Sequence, residues 1–559
     1  MQIIKRLVYG LVLLIPVGGF AQSSMLPQGY KHQQLMDRLE IKFRDSALSF
    51  QHLRPYNRKD WVKFIERTMP LADSGAGVSA VDMHNMKDAL MNNYEWVSGS
   101  RESFQSRKPW FKTFYKVKSD FALVDTKDFF LSINPVIQQQ QSSESGNDER
   151  VFLNSKGARG RGLIAGKIGF DFYLTDNQER PPYFVTQWED SMRAVPGAGF
   201  YKPFKTTAYD YLDARGSIFF NVTKYINVSF GYDKHFIGNG YRTFYLSDFG
   251  NNNLFLKLNT RIWKLNYQNL FMELTPQEPI NDGGQLLDKK YAAMHHLSWQ
   301  ATKWLNIGFF EAIIYGRPNH FEFSYLNPII FLRSIEQQNG SPDNANIGLD
   351  VKVNVARKFQ FYSQVLFDEF KLSEVKGGEG WWGNKFGFQL GGKYIDVFGI
   401  KNLDIQGEFN LARPFTYSHY DSVANYSHYN QPLAHPRGAN FYEAIGIVRY
   451  QPHPKWNIQA KLIAWKQGLD SAGINYGSNI FRLYTTRPYD YGWSIGTGSK
   501  STGVNASLWV GYELFENLFI DGSIMYRNQD VPADAKLTRS STTFTLGVRL
   551  NMFRREYDF

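Results

Sequence analysis

The stretch Ile347-Gly348-Leu349-Asp350-Val351-Lys352-Val353-Asn354-Val355 alternates an aliphatic residue with a small, polar or charged one from end to end. Successive side chains of an extended strand point to opposite faces, so one face here is oily and the other carries Asp350 and Lys352. The pattern returns where Leu403, Ile405, Phe409 and Leu411 alternate with Asp404, Gln406, Glu408 and Asn410. Trp456, Ile458, Leu462 and Ala464 are likewise set against Asn457, Gln459 and Lys461, and Phe544, Leu546, Val548, Leu550 and Met552 against Thr543, Thr545 and Arg549. Strands of soluble sandwiches run about 5 to 6 residues. These run about ten, the length that crosses a bilayer at a tilt.

About eighteen such segments can be marked, the first centred near residue 118, then near 133, 167, 216 and 230, and the last near 546. From the fourth onward every second connection is very short: Thr223-Lys224, Arg261-Ile262, Thr302-Lys303, Arg357-Lys358, Gly399 to Lys401, Pro452 to Lys455 and Glu516-Asn517. The intervening ones are long, near 176–209, 237–251, 274–289, 316–344, 372–383, 414–439, 468–501 and 530–539. Short turns at one end and long loops at the other are the signature of an outer-membrane barrel with periplasmic turns and extracellular loops. Closure follows from energetics, because a bare strand edge in hydrocarbon leaves backbone groups unsatisfied at several kcal/mol each. The expected fold is therefore an all-β transmembrane, antiparallel barrel of about eighteen strands over 113–559. Its last strand would span Ser541 to Phe553, offering an insertion machine a terminal aromatic strand, and Trp304, Trp456 and Tyr526 would sit in the interfacial girdles.

Composition agrees. The 559 residues include 45 Phe, 33 Tyr and 13 Trp, and only 21% are Asp, Glu, Lys or Arg. That is too aromatic for a disordered chain, and a mean hydropathy of −0.40 is too polar for a bundle of membrane helices. The absence of Cys excludes disulfides, thiolate metal sites and a thiol nucleophile. Lys5 and Arg6, the apolar run Leu7 to Val17 and the small residues around Ala21 read as a secretory signal over 1–21. Without those two basic residues the formal charge of +11 falls to +9, a mild excess that demands no nucleic acid. Residues 22–112 differ from the rest and are expected to form a helical periplasmic domain. Leu35, Leu39, Phe43, Ala47 and Phe50, then Trp61, Phe64, Ile65 and Thr68, then Met83, Met86, Leu90, Tyr94 and Val97 recur near helical spacing, the last run opening with a Ser79-x-x-Asp82 capping box.

The scan for chemistry yields little. Gly492-Trp493-Ser494-Ile495-Gly496 fits G-x-S-x-G, but it lies in a loop and no His follows it. His295-His296 cannot jointly hold one metal, because strand neighbours face opposite ways. The expectation is a protein that is not an enzyme, with no cofactor and no metal site.

Between 225 and 253 a strand runs into Gly238-Asn239-Gly240, expected to need positive φ, and then an aromatic segment leads to Ser247-Asp248. This stretch resembles the signature of the Wzi capsule-assembly family of outer-membrane proteins, in the Bacteroidetes branch that includes the gliding-motility protein RemB. Lys112-Thr113-Phe114-Tyr115, Asp128-Phe129-Phe130, Asn134-Pro135-Val136, Tyr325-Leu326-Asn327-Pro328 and Tyr557-Asp558-Phe559 are similar to that branch too. Thr243-Phe244-Tyr245 departs from the Ser-Leu-Leu-like run frequent in the family. The resemblance implies an eighteen-stranded barrel with a periplasmic helical bundle and a role in holding surface polysaccharide. Its partners would be outer-membrane lipid, surface polysaccharide and other outer-membrane or periplasmic proteins.

A sugar-binding face needs flat rings and polar groups. The candidates are Trp188, Trp381 and Trp382, the run Tyr417, His419, Tyr420, Tyr426, His428 and Tyr429, and Tyr489, Tyr491 and Trp493, with the 415–435 loop favoured as a group. The alternatives are a diffusion channel lined by inward Asp350, Lys352, Asp404, Glu408, Lys461 and Arg549, and a non-enzymatic subunit of a larger outer-membrane complex.

Overall fold

The computed structural model describes residues 23–73, 77–277, 287–317 and 321–559, and the expected signal over 1–21 lies outside the described residues. Eighteen long strands among the described residues form one closed antiparallel barrel. They are β1 Phe129–Glu144, β2 Val151–Ile164, β3 Ile168–Arg180, β4 Ala208–Asn221, β5 Ile226–Asp233 and β6 Asn253–Ile262. There follow β7 Leu265–Leu274, β8 Lys290–Gln300, β9 Leu305–Tyr315, β10 Asn344–Val355, β11 Phe359–Glu369 and β12 Lys385–Tyr394. The circuit ends with β13 Leu403–Ala412, β14 Phe441–His453, β15 Trp456–Leu469, β16 Ser499–Phe515, β17 Leu518–Asp530 and β18 Arg539–Leu550. β18 pairs back onto β1, from Thr543 opposite Glu144 to Leu550 opposite Ile137, so the ladder has no open edge there.

The strand pattern is inside-out relative to a soluble protein. On β10, Leu349 and Val355 are exposed on the outer wall, whereas Asp350, Lys352 and Asn354 are buried inside. Leu546 on β18 is 66% exposed and Leu212 on β4 60%, in company with Phe230, Phe361, Leu390, Leu462 and Leu508. So broad an apolar outer surface is stable only against lipid. Trp304, Trp456 and Tyr526 are also exposed on it, as the girdle reading expects.

The count of eighteen agrees with the sequence reading, but two placements do not. The segment near 118 is no spanning strand. Phe114 stacks on Phe121 at 4.5 Å and Tyr115 meets Phe121 edge to face at 5.5 Å, and the one stretch of strand here, Ala122–Asp125, pairs alongside β1. The second strand, β2, is not among the segments marked from the sequence, and it carries Gly157, Gly160 and Gly162. In the fold their missing side chains make room for β3, whose Phe170 ring would lie 2.3 Å from a Cβ at Gly162. The hairpin of β1 and β2 thus turns at 145–150 on the long-loop end, which restores the alternation of short and long connections from the start of the barrel. The last strand also stops at Leu550 rather than Phe553, and residues 551–559 turn into the lumen.

Among the described residues three α-helices precede the barrel: α1 Gln33–Phe43, α2 Arg58–Asp73 and α3 Ala80–Met91. Leu35, Leu39, Trp61, Phe64, Ile65, Met86 and Leu90 bury together, so the periodic stripe is core. α3 opens with the capping box of Ser79 and Asp82. The expected continuation of the first stripe to Ala47 and Phe50 fails at Arg44, which turns left-handed (φ 51°) and ends α1.

This helical unit sits on the short-turn end and reaches inside. Arg38 of α1 bonds Asp82 at 2.8 and 2.9 Å, Asp396 in the β12–β13 turn at 2.8 Å, and Asp404 on β13. Lys31 bonds Glu513 near the end of β16 at 2.9 Å and Glu516 in the β16–β17 connection at 2.6 Å. Beyond α1 the chain enters the lumen, where Leu53 pairs with Ile237 and Arg54 with Phe236.

Candidate functional site

Four segments fill the lumen: the N-terminal unit, the 234–252 segment, the 413–440 loop and the 551–559 tail. The six inward charges proposed as pore lining are all engaged. Asp350 meets His296 at 2.9 Å and Lys352 meets Glu40 at 2.6 Å, while Asp404 holds Arg38. Glu408 accepts the backbone N–H of Tyr241 at 2.6 Å and of Arg242 at 3.0 Å, and Arg549 meets Asp521 at 2.8 Å. Lys461 is clasped by Glu556 and Asp558 of the tail. Arg242 adds a 2.8 Å bond to the Asp558 carbonyl, and Arg527 donates to the Phe559 carbonyl at 2.7 Å. Tyr557-Asp558-Phe559 is therefore a buried interior anchor in the folded chain. A cavity of about 380 Å³ remains between these segments, bordered by Gln28, Asp37, Arg54, Asn239, Arg449 and Asp558.

The Gly238-Asn239-Gly240 motif explains itself here, though by another route than expected. None of the three has a positive φ. Gly240 is required by close approach, since a Cβ there would lie 2.4 Å from Glu408 Oε2 and 2.8 Å from the Arg242 carbonyl. Phe244 and Tyr245 then lie against the inner wall, the Phe244 ring over Gly387 of β12 where a Cβ would meet it at 2.4 Å. Ser247 donates its N–H to the Leu433 carbonyl at 2.8 Å, and the Asp248 carboxylate accepts from Gln28 at 3.1 Å. The motif is thus the internal brace of the plug.

The favoured loop closes over that brace. Tyr417 donates to the Phe244 carbonyl at 2.9 Å and Tyr426 to the Tyr245 carbonyl at 2.5 Å. His428 accepts the Thr275 N–H on Nδ1 at 2.9 Å and donates from Nε2 to the Asn252 carbonyl at 2.9 Å. Burial drives the His428 imidazole down to about 3. Tyr417 is 1% and Tyr426 0% exposed, and His419 and His428 are buried as well. The expectation that these rings present an outward sugar platform is corrected: their alternation with polar residues serves an interior packed against Phe244 and Tyr245. Tyr429 is half-buried against Phe200, and Trp188 against Phe249 and Phe559. Trp493 is buried under Tyr489, at 4.4 Å between rings.

What stays at the long-loop surface is narrower. Trp381 and Trp382 are half-buried, and Tyr420, Tyr489 and Tyr491 are exposed, Tyr420 by 44%. Backbone bonds zip the two loops that bear most of them: Trp382 N–H to the Asp490 carbonyl at 2.9 Å, Gly492 N–H to Glu379 at 2.8 Å and Trp493 N–H to Gly380 at 2.9 Å. Trp382 lies 4.7 Å from Tyr484 and beneath Arg487, whose guanidinium is 3.9 Å from the ring centre. Arg487 also pairs with Asp490 at 2.7 Å, and Lys371 sits 5.5 Å over Trp381. His419 stacks behind Tyr420 at 4.3 Å, and burial followed by the nearby Lys385 brings its imidazole to about 4. The ledge formed by Trp381, Trp382, Tyr420, Tyr484 and Arg487 offers rings flanked by fixed hydrogen-bonding groups. Tyr484 and Arg487 escaped the sequence reading, because nothing along the chain announces that they meet Trp382.

The remaining motifs resolve simply. The Ser494 hydroxyl meets Thr497 at 3.1 Å, in the loop expected for it. His296 faces inward, and His295 faces outward to Glu311 at 2.8 Å, so the adjacent pair is split across the wall.

No family model and no curated protein matches the chain. Among solved structures it is similar to Wzi of Escherichia coli, an outer-membrane protein involved in group 1 capsule assembly and titled a carbohydrate-binding β-barrel. The TM-score is 0.55 and the identity 12%, covering 96% of this chain and 100% of that one. OprD of Pseudomonas aeruginosa matches at TM-score 0.42 and 11% identity, over 75% of this chain and 94% of that one. OccAB4 of Acinetobacter baumannii matches at 0.41 and 10%, over 76% and 98%. At 12% identity the likeness to Wzi supports the fold alone: a closed, eighteen-stranded antiparallel barrel of the outer-membrane type, with helices at its N-terminal end.

Proposed function

We propose that this protein is a non-enzymatic outer-membrane barrel that holds surface polysaccharide on its long-loop face, with the helical unit and short turns on the periplasmic side. The observation that carries the reading is the ledge of Trp381, Trp382, Tyr420, Tyr484 and Arg487 at the mouth of a barrel whose interior charges are spent on a plug. Rings bind the apolar faces of sugars, and Arg487 with Asp490 can meet hydroxyl or acidic groups. Similarity to a barrel titled carbohydrate-binding supports it. A plugged lumen favours attachment over diffusion, since a barrel of this size conducts only if its interior is left open. The RemB-like residues extend the proposal to surface motility, with the polysaccharide as the point of attachment and periplasmic partners meeting the helical unit. In cells, Trp382→Ala should release polysaccharide and impair spreading while the barrel stays in the membrane. Full retention of polysaccharide by that variant would remove the ledge from the reading.

A further inference from the structure

We propose that His52, His296 and Asp350 form a binding site for a divalent transition-metal ion, zinc by donor set, which ties the plug to the barrel wall. His52 lies on the plug just before the Leu53–Arg54 bridge, and its carbonyl is held by the Gly238 N–H at 3.1 Å. His296 on β8 and Asp350 on β10 face it from the wall. One ligand atom from each of the three lies within 4.8 Å of the other two. The His52 and His296 rings meet edge to face at 5.5 Å, and His296 Nε2 is 2.9 Å from Asp350 Oδ2.

Independent of this spacing is the state of His52. It is 4% exposed, yet neither ring nitrogen makes a hydrogen bond of ordinary geometry. The Ser49 carbonyl lies nearby and accepts from Lys352 Nζ at 2.8 Å. Buried imidazoles without partners are rare, and a metal ion supplies the missing one. Nδ1 of His296 is likewise unpartnered. Two imidazoles and a carboxylate are a zinc donor set that leaves a fourth position open, and His52 and Asn239 border the 380 Å³ cavity. Asn239 steadies Asp350 Oδ1 at 3.4 Å, and Glu40 neutralises the neighbouring Lys352 at 2.6 Å, so that the cation is not left opposing a dication. With metal–ligand bonds of about 2.0–2.1 Å, the site needs the His296–Asp350 contact to open slightly and His52 to swing inward. The three residues lie far apart along the chain, out of reach of any spacing motif.

The full-length protein in detergent, stripped with chelator and dialysed against low-micromolar Zn²⁺, should retain about one zinc per chain and melt at a higher temperature than the stripped form. Co²⁺ in its place should give the visible absorption of a low-coordinate His/carboxylate site. His52→Gln leaves the strand ladder untouched and should bind zinc at least about tenfold more weakly, with no thermal shift. Asp350→Asn should do the same. Wild-type protein that retains no stoichiometric zinc overturns the proposal, as does His52→Gln protein that retains it unchanged.

Discussion

Removing the Arg38 side chain should unseat the plug without unfolding the barrel. The guanidinium is buried and bonds three carboxylates, Asp82, Asp396 and Asp404, two of them on the barrel. Burial alone would raise the Asp396 carboxyl, but Arg38 and then Lys42 override it and hold it at about 2, so the carboxylate is charged at neutral pH. In Arg38→Ala, Lys42 remains, 2.6 Å from Asp396 and 3.6 Å from Asp82, and faces three buried negative charges alone. Breaking a buried ion network from one side costs about 3–5 kcal/mol, which lowers the docking equilibrium of the helical unit by roughly 10²- to 10⁴-fold. The eighteen-strand ladder involves none of these bonds. The variant should therefore keep the gel mobility of a folded barrel on unheated samples, while the helical unit becomes sensitive to limited proteolysis and planar bilayers show new openings. Wild-type protein should be protected and give no large steady conductance. Equal protease resistance and equal silence in Arg38→Ala would refute the assignment of this network as the lock.

Other outcomes follow from the same geometry. Leu546→Arg places a charge on the lipid-facing wall and should cost about 2–4 kcal/mol in denaturant titrations in lipid vesicles, whereas a water-facing wall would tolerate it. Gly240→Val should lower the melting temperature through overpacking of about 1–3 kcal/mol, because its Cβ collides with Glu408 and the Arg242 backbone; an unchanged melt would show that the brace is loose. His428 is neutral in the fold down to about pH 3, against an ordinary value of 6.5, so the unfolded chain binds the extra proton first. Stability from this group is complete above pH 6.5 and falls as pH drops toward 3, by up to about 1.4 kcal/mol per unit. Acid sensitivity of the cap, followed by hydrogen exchange at Thr275, should be reduced in His428→Gln.

The barrel was legible because a period of two with oily residues outward is written locally, as Leu349 against Asp350 or Leu546 against Thr545. β2 was hidden because its glycines serve ring packing from β3, a contact between strands. The helical stripes were legible for the same local reason, and the capping box marked where α3 begins. The ledge was only half legible. Trp381, Trp382 and Tyr420 carry the right chemistry in sequence, but so do Tyr417, Tyr426 and His428, whose partners Phe244, Tyr245 and Thr275 lie more than a hundred residues away. A loop of rings and polar groups suits a sugar or a buried cap equally well, and only the tertiary fold separates the two. The terminal Tyr557-Asp558-Phe559 was ambiguous in the same way, until Arg242, Lys461 and Arg527 placed it inside.

The most direct measurement is calorimetric titration of the purified full-length barrel, in detergent, with polysaccharide from the surface of the producing cell. Saturable binding is expected, weakened about 10- to 100-fold in Trp382→Ala through loss of about 1.5–3 kcal/mol of ring contact and cation–π support, with the barrel still folded. Absence of saturable binding by the wild-type protein, or identical binding by the variant, would contradict a polysaccharide-holding ledge.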